Sequence, residues 1–132
     1  PGNAKITRAY NLPSDYVIHT VGPIIEKPLS NKHKSDSNMI TVPDQKKNTL
    51  ISCYKSCLNL ASKIKKLRTI ALCSISTGIF GYPIQQAAKI AIETTATWLY
   101  KHPKRFERVV FDVFSENDYL VYQDLFNSWD IQ

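Results

Sequence analysis

The chain has 132 residues, a length that suits one domain able to bury its own core. Hydrophobic residues make up 43% and charged residues 21% of it, which is ordinary for a soluble globular protein. No apolar run approaches the roughly 18 residues that a membrane span needs. The N-terminus also lacks the basic-then-apolar pattern of a secretory signal. We therefore expect no membrane segment and an intracellular, cytoplasmic location.

The net charge of +6 favours anionic partners, among which nucleotides, polyphosphates and nucleic acid all qualify. The basic residues gather in two clusters, at 63–68 and 101–105. Both clusters fall near predicted helix C-termini, where cations complement the helix dipole. We interpret them as helix ends and do not predict a nucleic-acid partner, although a nucleic-acid footprint is the alternative.

The three cysteines, Cys53, Cys57 and Cys73, are an odd number and give no disulfide framework. Cys53 and Cys57 are four apart and could share a helix face, but no further ligands have the usual spacing for a metal. We interpret the cysteines as buried small apolar residues, and we predict no metal site in this chain.

The first predicted elements are a strand, a long loop and a helix. Residues 15–21 form a short β-branched run that ends at a Gly-Pro turn, which is typical of a strand. Residues 24–45 are polar and irregular and predict a long variable loop, with a short strand at 38–42 as an option. The apolar positions of 46–64 repeat at helical spacing and predict an amphipathic helix.

The second half of the chain alternates strands and helices. Residues 69–75 are nearly all apolar, as expected of a strand covered on both faces. A helix follows Pro83 and stops before Pro103, and a third strand covers 109–114. Ser115 then caps a last helix, with Asp118 in a variant of the capping box. This order predicts an α/β fold with a mostly parallel sheet, in which ligands bind at the carboxyl ends of strands.

The stretch Ser76 to Tyr82 lies at such a strand end. Backbone amides and a helix dipole can make an anion site there, to which the hydroxyls of Ser76 and Thr77 add donors. Gly78 and Gly81 permit positive φ and a close approach of phosphate to the backbone. A plain turn in which Phe80 caps the core is the alternative, and the residues alone leave both open.

Several segments together resemble the macrodomain, an ADP-ribose-binding module. The motifs that carry the resemblance are GNAKIT from Gly2, HTVGP from His19 and STGIFGYP from Ser76. The similar segments follow the family's order and cover nearly all of the chain outside the loop at 24–45, which is longer than usual: 2–23, 50–61, 69–95 and 109–125. The runs LCSIST and VFDVFSENDY are most similar to the microbial zinc-containing macrodomains, which remove ADP-ribose from proteins.

The resemblance implies a three-layer α/β/α fold with a mixed sheet, of which residues 1–132 are the C-terminal part of a single macrodomain. The family's first half carries the aspartate that reads adenine, the asparagine beside the distal ribose, a first phosphate loop and, in the zinc-containing branch, the metal ligands. We therefore expect the catalytic residues, and zinc as a candidate cofactor, upstream of Pro1. A strand of that half lies between those matching 16–21 and 69–75. We expect the missing N-terminal half, or a complementing chain, to pair there.

The resemblance assigns site residues by position. The family's second phosphate-binding loop, whose amides hold the diphosphate of ADP-ribose, matches Ser76, Thr77, Gly78, Ile79, Phe80 and Gly81. Phe80 matches the aromatic residue that flanks the distal ribose. Phe114 matches a position that often stacks on adenine, and a core-facing strand end is the alternative. Ser115 and Asp118 are interpreted as capping groups, and His19 as a structural residue.

The resemblance implies that the complete protein binds ADP-ribose and hydrolyses mono-ADP-ribose from modified protein side chains. A reader module that binds the mark without cleaving it is the first alternative. A phosphatase acting on ADP-ribose-1″-phosphate is the second, and a nucleic-acid binder is the third. ADP-ribose or an ADP-ribosylated protein is the expected partner.

Overall fold

A computed structural model describes residues 1–9, 13–26 and 41–130 of the chain. The elements in chain order are β1 (Ala4–Arg8), β2 (Tyr16–Thr20), α1 (Asp44–Ser62), β3 (Thr69–Cys73), a 3₁₀ turn (Gly78–Phe80), α2 (Ile84–Lys101), β4 (Arg108–Asp112) and α3 (Glu116–Asp130). The three predicted helices and three predicted strands are confirmed, with ends that move by one or two residues. In the described ranges no helix is both long and apolar enough to cross a membrane.

The predicted loop at 24–45 is described only at its two ends. Residues 27–40 lie outside the described part of the chain, and they include most of the optional strand at 38–42. Thr41 and Val42 are described and do not form a strand. The loop prediction was wrong at its end, because α1 already begins at Asp44.

The first strand, β1, is the element that the sequence analysis missed. It pairs antiparallel with β2, in a register that sets Ile6 opposite Ile18. Helix α1 is hydrogen-bonded to the segment just before β1, because the hydroxyls of Ser52 and Ser56 donate to the Gly2 carbonyl at 3.0 and 2.7 Å. Gly2 itself has a φ of +85°, a left-handed conformation that favours glycine.

The second sheet is the parallel pair β3–β4, in which Leu72 lies opposite Phe111. Alternate residues of both strands pack against two apolar clusters, a larger one shared with α1, α2 and α3 and a smaller one around Trp98. Tyr54, Leu50, Leu58 and Cys53 of α1 are the largest side chains that are almost fully buried. The stripe that predicted α1 is therefore the buried face of that helix. The buried cysteine prediction is confirmed for Cys53 and Cys57, but it was wrong for Cys73, which is exposed.

The other face of β3 is open, so the expectation that both faces are covered was wrong within the described residues. Ala71 and Cys73 are exposed there, as is Val110 of β4. The described helices all pack against the opposite face, where Ile70 and Leu72 point. Alanine and cysteine are apolar enough to lie on a covered face, but these residue types do not show which elements would cover it.

A cavity of about 510 Å³ separates the two pairs of strands. Its walls are β2, β3 and the α1 residues Cys57 and Ala61. Each of the two strands is hydrogen-bonded on one side only, β2 to β1 and β3 to β4, among the strands described. We call this space the strand gap. It lies where the sequence analysis expected a strand from another segment.

Candidate functional site

The segment 76–81 connects β3 to α2 through an unusual backbone. Ser76, Gly78 and Gly81 have φ values of +67°, +72° and +81°. Two of these three positions are glycines, because left-handed φ costs an L-residue about 1–2 kcal/mol. The turn closes on itself, since Gly81 N donates to the Gly78 carbonyl and Tyr82 N to the Ser76 carbonyl, both at 3.0 Å.

Gly78 leaves the outer side of this turn open. A Cβ built on Gly78 would meet no described atom within 4 Å. The first amides of a 3₁₀ turn have no carbonyl within the turn to bond. Among described residues, no backbone carbonyl outside the turn accepts from the amides of Gly78 and Ile79. An anion site requires backbone amides without a backbone acceptor beside open space, and the turn at Gly78 has both.

The segment that leaves β2 packs against this turn. A Cβ on Gly22 would lie 2.0 Å from Ser76 Oγ, so only glycine fits between them. Ile25 N donates to the Phe80 carbonyl at 2.8 Å, and a Cβ built on Gly81 would lie 3.0 Å from the Ile25 carbonyl oxygen. In the sequence Gly22 stands within the motif HTVGP and indicates only the turn that ends the strand. Its closeness to Ser76 depends on tertiary packing that the sequence does not display.

Ser76, which the sequence indicates as a hydroxyl donor of the anion site, is buried in the structure. The residue is 7% exposed, and its hydroxyl has no hydrogen-bond partner among the described groups. A buried hydroxyl without a partner costs about 1–3 kcal/mol. The neighbouring Thr77 is different, since its Oγ1 lies 3.0 Å from Ser74 Oγ and donates to the Ser74 carbonyl at 3.3 Å.

Tyr54 fixes the end of β3 from which this turn starts. Its hydroxyl donates to the Cys73 carbonyl at 3.1 Å and accepts from Ile75 N at 3.2 Å. Burial raises the pKa of Tyr54 far above its usual value, so the hydroxyl stays protonated and keeps both bonds. The turn is therefore held at its base by a buried side chain of α1.

Apolar side chains surround the turn on the same edge of the sheet. Ile79 and Phe114 are both fully exposed, at 100%, and Phe80 is half-buried. Phe114 follows β4 as the turn follows β3, and the two strands are parallel neighbours. The alternative of a core-facing Phe114 was therefore wrong. Ser115 is a cap, as predicted, because its Oγ accepts from Asp118 N at 3.1 Å.

The remaining candidate groups do not assemble a catalytic centre in the described chain. His19 is exposed on β2, and its Nε2 lies 3.1 Å from Thr7 Oγ1. His102 stacks on Trp98 at 3.9 Å at the end of α2, and His33 lies outside the described residues. No three metal-ligating side chains come together in the parts of the chain that are described. These residues therefore do not fit a zinc site.

Comparison with known proteins places this geometry in a family. The family model "Macro domain" matches residues 1–91. ADP-ribose glycohydrolase MACROD2 of Xenopus laevis is 43% identical over 128 residues, which are 97% of this chain and 27% of that protein. The protein-ADP-ribose hydrolase of Staphylococcus aureus is 43% identical over 126 residues, which are 96% of this chain and 42% of that protein.

Solved structures agree with the sequence relatives. An Oceanobacillus iheyensis macrodomain with ADP superposes with a TM-score of 0.77 at 38% identity, over 97% of this chain and 58% of that chain. A Trypanosoma brucei macrodomain in complex with ADP-ribose gives 0.75 at 33% identity, over 93% of this chain and 44% of that chain. The chain thus spans less than two thirds of the proteins it matches. It has the macrodomain fold, and it belongs to the Macro domain family.

Proposed function

We propose that the protein carrying this chain binds ADP-ribose and hydrolyses it from modified protein side chains. The observation that carries the proposal is the open turn at Gly78, where the amides of Gly78 and Ile79 have no backbone acceptor among the described residues. The names of the relatives support the proposal, since the proteins from Xenopus laevis and Staphylococcus aureus are both named as ADP-ribose hydrolases. The chain covers only 27% and 42% of these two proteins, so their whole activity is a proposal here.

In this proposal, the segment Ser76–Gly81 holds the diphosphate. Amides donate to the phosphate oxygens, and hydrogen bonds to charged groups contribute about 1.5–3 kcal/mol each. Phe80 lies beside the distal ribose. Phe114 stacks on adenine, because its ring is fully exposed at the same edge, and an offset stack contributes about 1 kcal/mol.

The chain contributes positioning rather than proton transfer. Water attacks C1″ of the distal ribose, the bond from C1″ to the side chain breaks, and the released side chain takes up a proton. A general acid or base must reach these atoms, and no such pair stands at the turn among the described residues. Holding the diphosphate orients the ribose for attack, which by itself lowers the barrier. Catalytic groups, and zinc as a candidate cofactor, are expected upstream of Pro1.

A reader module is the second candidate, because the diphosphate and adenine contacts proposed here need no catalytic group. A chain that holds the diphosphate and stacks adenine binds ADP-ribose whether or not the mark is cleaved. The phosphatase reaction on ADP-ribose-1″-phosphate would also use this turn. An intracellular location suits all three activities and stays a prediction.

The strand gap supports one further part of the proposal, namely that an extended segment from the missing half completes the sheet. The facing edges of β2 and β3 lack strand partners among the described strands, and buried unpaired amides and carbonyls are costly. Residues of α1 line one wall of the gap. A strand that paired with both β2 and β3 would lie about 4.8 Å from each of them. If the chain alone unfolded cooperatively with native helix content, this part would be wrong.

Calorimetric titration of ADP-ribose tests binding, first into this chain and then into a version extended upstream with macrodomain sequence, which we call the extended chain. We expect the extended chain to bind and this chain to bind more weakly or not at all. Release of ADP-ribose from a mono-ADP-ribosylated protein then separates hydrolase from reader. Absence of binding by both chains would refute the assignment of Ser76–Gly81.

A further inference from the structure

The two basic clusters of the sequence meet at one end of the domain. Arg68 Nη2 donates to the Lys104 carbonyl at 2.9 Å, and Glu107 N donates to the Arg68 carbonyl. The first pair of the parallel sheet, Thr69 opposite Arg108, joins the same two segments. This end carries the amino ends of β3 and β4, and we call its residues 63–68 and 101–108 the basic end. The turn at Gly78 lies beyond the carboxyl end of β3, at least a strand length of about 16 Å away.

Arg105 satisfies the end of α1. It donates to the carbonyls of Ser62, Ile64 and Leu67 at 2.9, 2.8 and 2.6 Å. Lys101 is the one basic residue in the last turn of α2, and the last turn of α1 has none. Lys63 is the C-cap residue of α1. The interpretation of the clusters as helix ends therefore holds for Lys63, Lys101 and Arg105. It does not account for the other exposed cations of the two clusters.

These lysines concentrate the charge of the whole chain. The basic end holds eight of the seventeen Lys and Arg residues and one of the eleven acidic residues, Glu107. Seven of the eight cations are exposed: Lys63, Lys65, Lys66, Arg68, Lys101, Lys104 and Arg108. Within the described part of the chain, Arg68 is the member of this set with an ion pair, to Glu107 at 3.6 Å. The charge of +6 is thus not spread over the surface.

Two aromatic rings border these cations. Lys66 Nζ lies 5.7 Å from the ring centre of Tyr16, and Tyr100, next to Lys101 in the chain, is 87% exposed. A phosphate backbone pairs with the lysines, while unstacked bases find rings to stack on. An acidic peptide would pair with the lysines but would not account for an exposed aromatic ring such as Tyr100.

We propose that the basic end binds single-stranded nucleic acid, through its phosphates and by stacking on Tyr100, independently of the ADP-ribose site. The proposal does not rest on the proposed function, because no residue of the basic end belongs to the turn at Gly78. It concerns the exposed cations of the two clusters that no helix end accounts for.

Fluorescence anisotropy of a labelled single-stranded RNA of about twelve nucleotides tests this on the full chain. The variant reverses two charges, Lys65→Glu with Lys66→Glu. Its matched control makes the same change in net charge elsewhere, at the exposed Lys55 and Lys89. We expect at least a tenfold loss of affinity for the variant and a smaller loss for the control. The slope of log K against log salt should fall in magnitude by about 1.4, or about 0.7 for each phosphate that a lysine no longer neutralises.

Tyr100→Ala tests the stacking contact without changing charge or a buried residue. We expect about fivefold or greater weakening with the salt slope unchanged. Equal loss in the variant and the control, or no binding at 50 mM salt, overturns the proposal. Displacement of the RNA by free ADP-ribose would move it to the turn at Gly78. Competition by polyglutamate of matched charge as effective as unlabelled RNA would assign the surface to acidic protein instead.

Discussion

Substitution of Gly78 by valine separates ligand binding from folding more sharply than any other change in the turn. A Cβ at this position meets no described atom within 4 Å, so the added methyl groups occupy the open space above the turn. In the proposed binding mode, a phosphate occupies that space close to the amides of Gly78 and Ile79. The side chain therefore clashes with the ligand and not with the protein.

The expected magnitudes follow from the backbone and from the broken hydrogen bonds. Gly78 has a φ of +72°, which costs an L-residue about 1–2 kcal/mol and therefore lowers the free energy of unfolding by that amount. Loss of one amide–phosphate hydrogen bond costs about 1.5–3 kcal/mol of binding. Because 1.4 kcal/mol is tenfold in affinity, we expect ADP-ribose to bind at least ten times more weakly.

Calorimetric titration of the extended chain and a thermal melt measure the two effects separately. Gly78→Ala is the matched control, since it imposes a similar backbone strain with a smaller group. We expect both variants to lose similar stability and valine to lose more affinity. Unchanged affinity in a folded Gly78→Val protein would refute the phosphate-loop assignment, because the valine side chain fills the space that a bound phosphate needs.

Three further substitutions or reactions test other parts of the structure. Gly22→Ala should destabilise the chain by about 1–3 kcal/mol in denaturant unfolding, because its Cβ would lie 2.0 Å from Ser76 Oγ; an unchanged midpoint contradicts that contact. Arg105→Ala should cost about 2–3 kcal/mol, since four carbonyls lose a charged donor, and Arg105→Lys should recover only part of it. At pH 8, iodoacetamide should modify the exposed Cys73 and spare Cys57. The pKa of Cys57 is raised to about 12, mainly by burial and to a smaller extent by its cysteine neighbours. Mass spectrometry locates the label, and rapid modification of Cys57 in folded protein would show that the core is open.

The sequence predicts the helices well because their patterns are local. The apolar stripe of α1 is its buried face, and Ser115 caps α3 through a bond to Asp118 only three residues away. The turn at 76–81 was found for the same reason, since two glycines and a hydroxyl pair stand within six residues. In each of these cases the residues that form the element also carry its signal.

Features that depend on distant residues were missed. β1 is short and largely exposed, so its alternation is weak, and its pairing is fixed by β2 and by contacts from α1 to Gly2. Arg105 looks like part of a charge cluster in the sequence, whereas its partners lie about forty residues before it in the chain. Gly22 stands in a recognisable motif, but its function is to let Ser76 approach. A sequence pattern does not show which residues meet across such separations.

The strand gap and the candidate site are linked, and the link makes a last prediction. Segments after β2 and β3 touch where Gly22 faces Ser76 and where Ile25 N bonds the Phe80 carbonyl. The strands themselves do not pair, so their relative position near the turn rests on these contacts and on α1. A strand in the gap would fix the two edges and thereby preorganise the turn for phosphate.

Coupling between sites is reciprocal, so ADP-ribose should tighten the binding of a separately added strand-forming segment by the same factor by which the segment tightens the binding of ADP-ribose. Titration of each in the presence and absence of the other measures both factors. A segment that binds the chain but leaves ADP-ribose affinity unchanged would show that the turn is already rigid, and that the gap serves only the fold.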